Sequence, residues 1–441
     1  MSALSPGSGQ RLYAHARERI PGGTQLLSKR PEMLLPDQWP SYFSRASGAE
    51  VWDLDGRRYL DMCYSGVGSV ILGYADPDVN AAVVRAVEAG SMSTLNCPEE
   101  VELADLLVEL HPWAEMVRYA RCGGEALAIA VRIARARTGR DVIAFCGYHG
   151  WQDWYLAANL GSGDLLNGHL LPGLKPAGVP AGLAGTALPF HFNAPEELEA
   201  IVSGQGGRLA AIVMEPQRGS PPAPGFLERV RELASSSGAV LIFDEVTAGF
   251  RLTTGGIHLT MGVAPDVAVF AKAISNGFSM AAVIGRGDVM EAAQETFISS
   301  TYWTERIGPC AALATIRKHL ALRAADHLVA VGTQIQEGWR RAAEKHGLAI
   351  AVEGMPPLAR FAFRYPDAQA IRTLFTQIML DRGLLASNAF YAMYAHCAAH
   401  VQEYLEAVDG AFGEIGEAIR AGRVAEMLRG PVAHAGFYRL A

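Results

Sequence analysis

Three apolar runs, each ending in an ionisable residue, decide the fold of this chain: Ala211-Ile212-Val213-Met214-Glu215, Val240-Leu241-Ile242-Phe243-Asp244 and Val267-Ala268-Val269-Phe270-Ala271-Lys272. Runs this short and uniformly apolar read as strands buried on both faces, the habit of a parallel sheet with helices on either side. They stand about 30 residues apart, room for one crossover each. Further runs at 116–120, 142–145 and 280–284 extend the sheet outward. Between them, 125–137 repeats apolar residues at Ala126, Ile129, Ala130 and Ile133, and 224–236 does so at Phe226, Val230 and Leu233, the spacing of one helix face. The class is α/β, a largely parallel sheet covered by helices.

On the N-terminal side a hairpin is expected at 50–61, with Val51-Trp52 and Tyr59-Leu60 flanking Asp55-Gly56. Beyond about Arg317 the chain turns to helices around short strands, 358–364 being the clearest strand and 399–421 an amphipathic helix. The expected organisation is an N-terminal segment over 1–75, a large domain over 76–316 and a C-terminal part over 317–441. The two outer pieces together would form a smaller α+β domain. Residues 151–185, rich in Gly, Pro, Leu and Ala and without sustained periodicity, form a candidate lid.

Composition narrows the partners. The 441 residues carry 38 Lys plus Arg against 45 Asp plus Glu, a net charge of −7, with no basic block to neutralise a phosphate backbone, so nucleic acid is not expected. Hydrophobic residues at 50% and charged ones at 19% argue for a folded chain. No apolar stretch approaches the roughly 20 residues of a membrane helix, and the start is polar, without the cationic and apolar regions of a secretory signal. A cytoplasmic location is expected. Six cysteines show neither CxxC nor Cys/His ligand spacing, so neither a disulfide framework nor a metal site is expected.

The chemistry sits where the opening runs end. In parallel sheets the ligand crevice lies at the carboxyl ends of the strands, which brings Glu215, Asp244 and Lys272 towards one site. Burying unpaired charge costs several kcal/mol, so apolar strands that end in charge need a reason. A lysine in such surroundings loses its proton more readily and becomes a nucleophile toward carbonyls, the requirement for a Schiff base. It can serve an aldolase directly or hold pyridoxal phosphate, and the second use needs a phosphate cradle and a carboxylate for the ring nitrogen. Cys122-Gly123-Gly124-Glu125 follows a strand and opens a helix, so its backbone N–H groups can face a phosphate. Asp244 is the carboxylate, and Tyr148, leaving another strand end, can stack on the ring. A cofactor-free aldolase leaves the glycine turn and Asp244 without a use.

These residues resemble the class III aminotransferases of fold type I, in the branch of glutamate-1-semialdehyde 2,1-aminomutase. The resemblance runs from about Pro21-Gly22-Gly23 to the C-terminus. It is carried by Phe243-Asp244-Glu245-Val246-Thr247-Ala248-Gly249-Phe250-Arg251, Ala271-Lys272-Ala273-Ile274-Ser275-Asn276-Gly277, Tyr148-His149-Gly150 and Glu215-Pro216. It implies a large domain with a mostly parallel seven-stranded sheet and a smaller α+β domain.

By the same resemblance, Lys272 forms the Schiff base with pyridoxal phosphate and shuttles protons, and Asp244 binds the pyridine nitrogen. Val246 and Tyr148 cover the two ring faces, and Glu215 lies near the phenolic oxygen. Cys122, Gly123 and Gly124 stand where the family has a Ser-Gly-Thr phosphate loop, with Glu125 as its glutamate, so two hydroxyls are lost. Thr301 matches the threonine given to the neighbouring subunit's phosphate, which implies a homodimer with shared active sites.

The chain departs from the aminomutase at Gly66-Val67, at Thr304-Glu305-Arg306, at Trp151 and near Lys29-Arg30. The implied function is a ping-pong aminotransferase moving an amino group from an amino donor to a ketone or aldehyde. An intramolecular aminomutase is the alternative, and a racemase a weaker third. Arg251, Arg306, Lys29, Arg30 and Arg360 are the candidates to meet a substrate carboxylate.

Overall fold

The computed structural model describes residues 7–169, 172–217 and 219–436. The chain divides into two compact units, Met1–Asp76 with His327–Ala441, and Pro77–Asp326. The division at 326/327 follows the helix Ile307–Ala321, whereas 316/317 lies inside that helix.

Within Pro77–Asp326 all three opening runs are strands of one seven-stranded sheet. In chain order these are β1 (Met116–Ala120), β2 (Val142–Cys146), β3 (Ala187–Pro189), β4 (Leu209–Met214), β5 (Val240–Asp244), β6 (Val267–Phe270) and β7 (Ala281–Gly285). Across the sheet they run β1-β7-β6-β5-β4-β2-β3. The strands from β3 to β6 pair parallel, and β7 lies antiparallel to both β6 and β1. The edge strand β3 has no counterpart among the sequence runs, because three residues ending in proline are too few to show a period.

Both faces are covered, which is why the strands read as unbroken apolar runs. Ile242, Val213 and Val269 pack with helix α1 (Gly123–Thr138), while Leu241, Phe243 and Met214 pack with helix α2 (Phe226–Ser237). Strand side chains alternate, so Asp244 continues the Ile242 face, the one α1 covers. Helix α1 buries Ala126, Ile129, Ala130, Ile133 and Ala134 along one stripe and stops at Gly139, whose φ of 63° is the left-handed cap.

The candidate lid is built differently from the expectation. Its first half carries the short helices Asp153–Leu156 and Asn159–Ser162, and Trp154, Tyr155, Ala157, Ala158 and Leu166 are buried in the same core as α1. Helices of one turn are too short to show a 3.6-residue period, so the segment reads as loop although half of it is core. Residues 170 and 171 of this segment lie outside the described residues.

Two buried histidines fix the turn that follows β5. His111 donates from Nδ1 to the Leu107 carbonyl (2.7 Å) and accepts the Gly256 N–H at Nε2 (2.9 Å). His319 donates from Nε2 to the Phe250 carbonyl (3.0 Å) and accepts from the Thr254 hydroxyl at Nδ1 (2.8 Å). Burial pushes both rings from the ordinary 6.5 down to about 4. Between these values the unfolded chain binds protons that the folded chain refuses, so their contribution is level above pH 7 and is lost as pH falls from 6.5 towards 4. Denaturant midpoints measured across that range should fall, and a level profile down to pH 4.5 would remove the coupling.

In the other unit, Phe43–Ser47, Glu50–Asp53 and Arg58–Asp61 form an antiparallel sheet, which includes the expected hairpin, and Leu384–Leu385 joins it in parallel. Ile350–Glu353, Leu358–Phe363 and Ala389–Tyr391 form a second, antiparallel sheet. Phe361 meets Trp339, Phe375 and Phe412 edge-on, with ring centroids 4.9, 5.3 and 5.7 Å apart. The helix Ala398–Arg420 matches the amphipathic stretch. Among the described residues no helix is long and apolar enough to cross a membrane.

Candidate active site

The carboxyl ends of β2, β4, β5 and β6 carry Gly147-Tyr148-His149, Glu215, Asp244 and Lys272 respectively. Asp244 is buried, and both its oxygens are engaged. Oδ1 accepts the Val246 N–H at 3.0 Å, and Oδ2 lies 2.8 Å from His149 Nδ1. The other ring nitrogen, Nε2, is 3.0 Å from the Cys146 carbonyl, and the Trp154 ring stacks on the imidazole at 6.2 Å. Both nitrogens of His149 thus face acceptors, and both contacts are hydrogen bonds when each nitrogen carries a proton. The carboxylate is held in one orientation beside that ring.

Lys272 follows β6 and has a φ of 51°, left-handed and unusual for a residue with a side chain. Such a conformation costs about 1–3 kcal/mol and concentrates at functional sites. Its Nζ donates to the Thr247 hydroxyl at 2.8 Å. Asn276, also left-handed at 46°, ends the single turn Lys272–Ser275.

The turn into α1 is a cradle. Cys122 caps the helix, its sulfur accepting from the Glu125 N–H while Glu125 Oε2 accepts the Cys122 N–H at 3.1 Å. Glu125 therefore serves the turn itself. Burial, then Glu125, push the Cys122 thiol up, so it stays a thiol. The N–H groups of Gly123 and Gly124 find no acceptor among the described residues, and they stand at the positive end of a 16-residue helix. A Cβ at Gly123 would meet Val246 Cγ1 at 2.9 Å, and one at Gly124 would meet Gln152 Nε2 at 2.3 Å. Amide donors without an acceptor at a helix N-terminus fit a phosphate group, and Val246 and the Gln152 side chain stand beside them.

Glu215 is buried at the end of β4, and its Oε2 lies 2.7 Å from where a Cβ on Gly147 would stand. Gly147 also has a φ of 110°. Gly147→Ala is expected to lower stability by about 1–3 kcal/mol, read in denaturant unfolding, because strain and collision coincide. Tyr148 is half-buried and meets Tyr155 edge-on at 5.8 Å.

Thr301 is exposed, at the start of the turn Thr301–Thr304, and among the described residues no hydrogen bond joins it to the residues above. The charges after it are spent locally. Arg306 is gripped by both oxygens of Glu99 (2.6 and 3.0 Å), and Glu305 accepts the Ile307 and Gly308 N–H groups of the next helix.

Arg251 is fully buried, with Nε 3.4 Å from the Thr247 carbonyl. Arg360, in the other unit, pairs with Glu353 at 3.0 Å. In that unit Lys29 is exposed, and the Arg30 guanidinium lies against Gly22. Among the described residues no group of three or more His, Cys, Asp or Glu side chains could hold a metal ion.

His149, Thr247 and Gln152 carry no role in the sequence reading. His149 and Thr247 fall inside motifs already quoted, but only the fold shows which partner each touches.

The model of the family described as aminotransferase class-III matches residues 36–407. The 3-aminobutyryl-CoA aminotransferase of Cloacimonas acidaminovorans is 32% identical over 406 residues, covering 89% of this chain and 93% of the relative. Glutamate-1-semialdehyde 2,1-aminomutase of Dechloromonas aromatica is 35% identical over 430 residues, covering 92% and 99%. Among solved structures, the PLP internal aldimine form of the FumI protein of Sphingopyxis sp. MTA144 superposes with a TM-score of 0.85 at 26% identity, covering 94% and 98%.

Proposed function

The chain belongs to the class III aminotransferases, a pyridoxal-phosphate family, and we propose that it moves an amino group from an amino donor to a ketone or aldehyde, with Lys272 as the residue that carries the cofactor. The observation that carries this reading is the convergence of Lys272, the oriented carboxylate of Asp244 and the open amides of Gly123 and Gly124 within one unit. When bound, the cofactor supplies a carbonyl that condenses with amines and a ring that withdraws electrons.

The chain's own residues do the rest. Asp244 would take the ring nitrogen, Tyr148 and Val246 would cover the ring faces, and Glu215 would stand near the phenolic oxygen. Cys122, Gly123 and Gly124 would hold the phosphate. Lys272 Nζ, steadied by the Thr247 hydroxyl, moves the proton at the amine-bearing carbon of the substrate. Thr301, exposed on its turn, is assigned to the phosphate of a second copy in a homodimer. The unit Pro77–Asp326, in place of the expected 76–316, forms the cofactor-binding part. The six cysteines are all free thiols, which supports a cytoplasmic location.

A second reading is the intramolecular aminomutase, favoured by the 35% identity to such an enzyme over almost its whole length. The visible spectrum of the protein loaded with pyridoxal phosphate decides between them. Under the first reading a single donor converts the spectrum and a keto acid restores it, and a donor bearing its amine at carbon 3 belongs in the panel because of the 3-aminobutyryl-CoA relative. Under the second, common donors leave the spectrum unchanged while an amino aldehyde is isomerised. A protein that takes up no cofactor sinks both.

A further inference from the structure

The phosphate cradle lacks both hydroxyls that the family's loop carries, and the structure shows what fills the space. The Gln152 side chain lies against Gly124 and Gly150. A Cβ at Gly124 would stand 2.3 Å from its Nε2 and 2.8 Å from its Oε1, and one at Gly150 would stand 2.5 Å from Oε1. Oε1 accepts the Trp151 N–H at 3.1 Å, which settles the orientation of the amide and leaves the NH2 group on the Gly124 side.

That NH2 donates to nothing among the described residues. Its position is fixed from behind. The Gln152 carbonyl accepts the N–H groups of Tyr155 and Leu156, starting the one-turn helix Asp153–Leu156, whose Trp154 and Tyr155 are buried. A side chain on residue 124 would displace the Gln152 amide from where it now lies, so the glycine at 124 leaves that place to the glutamine.

We propose that Gln152 is a phosphate ligand of the cofactor, its Nε2–H donating where a side chain at 124 would have donated. This rests on the reading of the site as a pyridoxal-phosphate site. A neutral amide can donate to an anion without adding charge, and at the mouth of α1 it adds one aimed donor to the open N–H groups of Gly123 and Gly124. The same residue as a mere filler of the space over two glycines would make no distinction between a phosphorylated and an unphosphorylated ligand.

The test compares the affinity of the cofactor-free protein for pyridoxal phosphate and for pyridoxal, by fluorescence titration. Gln152→Ala should weaken pyridoxal phosphate roughly ten-fold, and Gln152→Glu, nearly the same shape but anionic, roughly a hundred-fold, with pyridoxal changed less than about two-fold in both. Gly124→Thr should weaken pyridoxal phosphate by itself, and adding Gln152→Ala to it should recover most of the loss.

Equal losses for the two ligands, or a Gln152→Glu protein that binds pyridoxal phosphate as tightly as the parent, would overturn the assignment. Circular dichroism of each cofactor-free variant checks folding, and should Gln152→Glu not fold, Gln152→Ala carries the same comparison. A parent protein that takes up no pyridoxal phosphate would instead defeat the underlying reading of the site.

Discussion

Lys272→Ala is expected to abolish transamination, with turnover falling by about 10⁴-fold or more, because one side chain supplies both the attachment point and the proton carrier. In the parent, borohydride treatment after loading with pyridoxal phosphate should fix the cofactor to the peptide that holds Lys272, found by mass spectrometry. The variant should show no such adduct. Loss of activity through unfolding is not expected. The left-handed backbone at 272, with φ of 51°, is strained for alanine as for lysine, and the half-buried side chain makes its hydrogen bond to Thr247 rather than filling the core.

Unfolding midpoints within about 0.5 kcal/mol of the parent would bear this out. Lys272→Arg sharpens the test. It keeps a cation within reach of the Thr247 hydroxyl but cannot be deprotonated to act as a nucleophile, so it should be as inactive as alanine. A Lys272→Arg protein that retains a tenth of the parent's turnover would show that the lysine contributes charge alone.

The sheet was legible because its strands are buried on both faces. Uniform apolar runs ending at Glu215, Asp244 and Lys272 can be seen without a fold, and the period of α1 is equally plain at Ala126, Ile129, Ala130 and Ile133. What stayed hidden lacked either length or period. The strand Ala187–Pro189 is three residues long, and Trp154 and Tyr155 enter the core from a helix of a single turn.

At the candidate site, the residues that the sequence reading did not single out stayed hidden for a different reason. His149, Thr247 and Gln152 touch residues 95, 25 and 28 positions away in the chain, at Asp244, Lys272 and Gly124. Only Thr247 and Lys272 follow neighbouring strands, β5 and β6; β4 stands between the strands of His149 and Asp244, and Gln152 and Gly124 follow strands far apart in the sheet, so neither chain distance nor strand order announces these contacts. The charges of Glu305 and Arg306 illustrate the converse. Arg306 is a candidate for a substrate carboxylate in the sequence, yet both oxygens of Glu99 hold its guanidinium, and Glu305 accepts from the first turn of the following helix.

Asp244→Asn is expected to cost about 10³-fold in turnover while leaving the fold intact, since a preorganised charge aimed at the reacting system is worth about that much. The variant's geometry can be worked out from the partners. The Val246 N–H demands an oxygen at the Oδ1 position, which turns the new NH2 group toward His149 Nδ1. Two donors would then face each other unless Nδ1 is the bare nitrogen of the ring, in which case the new NH2 group donates to it. The ring nitrogen of the cofactor then meets an amide in place of a carboxylate.

His149→Asn removes the same support from the other side, and its Nε2 hydrogen bond to the Cys146 carbonyl goes with it. Because His149 acts through Asp244, the double variant Asp244→Asn/His149→Asn should be little worse than Asp244→Asn alone, a non-additivity that a turnover cycle reads directly. Cofactor content, measured on the same samples, separates loss of chemistry from loss of binding. The phosphate cradle is untouched in all three proteins, so they should hold cofactor while turnover collapses. Fully additive losses would assign His149 a role independent of the carboxylate, and an Asp244→Asn protein with turnover near the parent's would remove Asp244 from the chemistry.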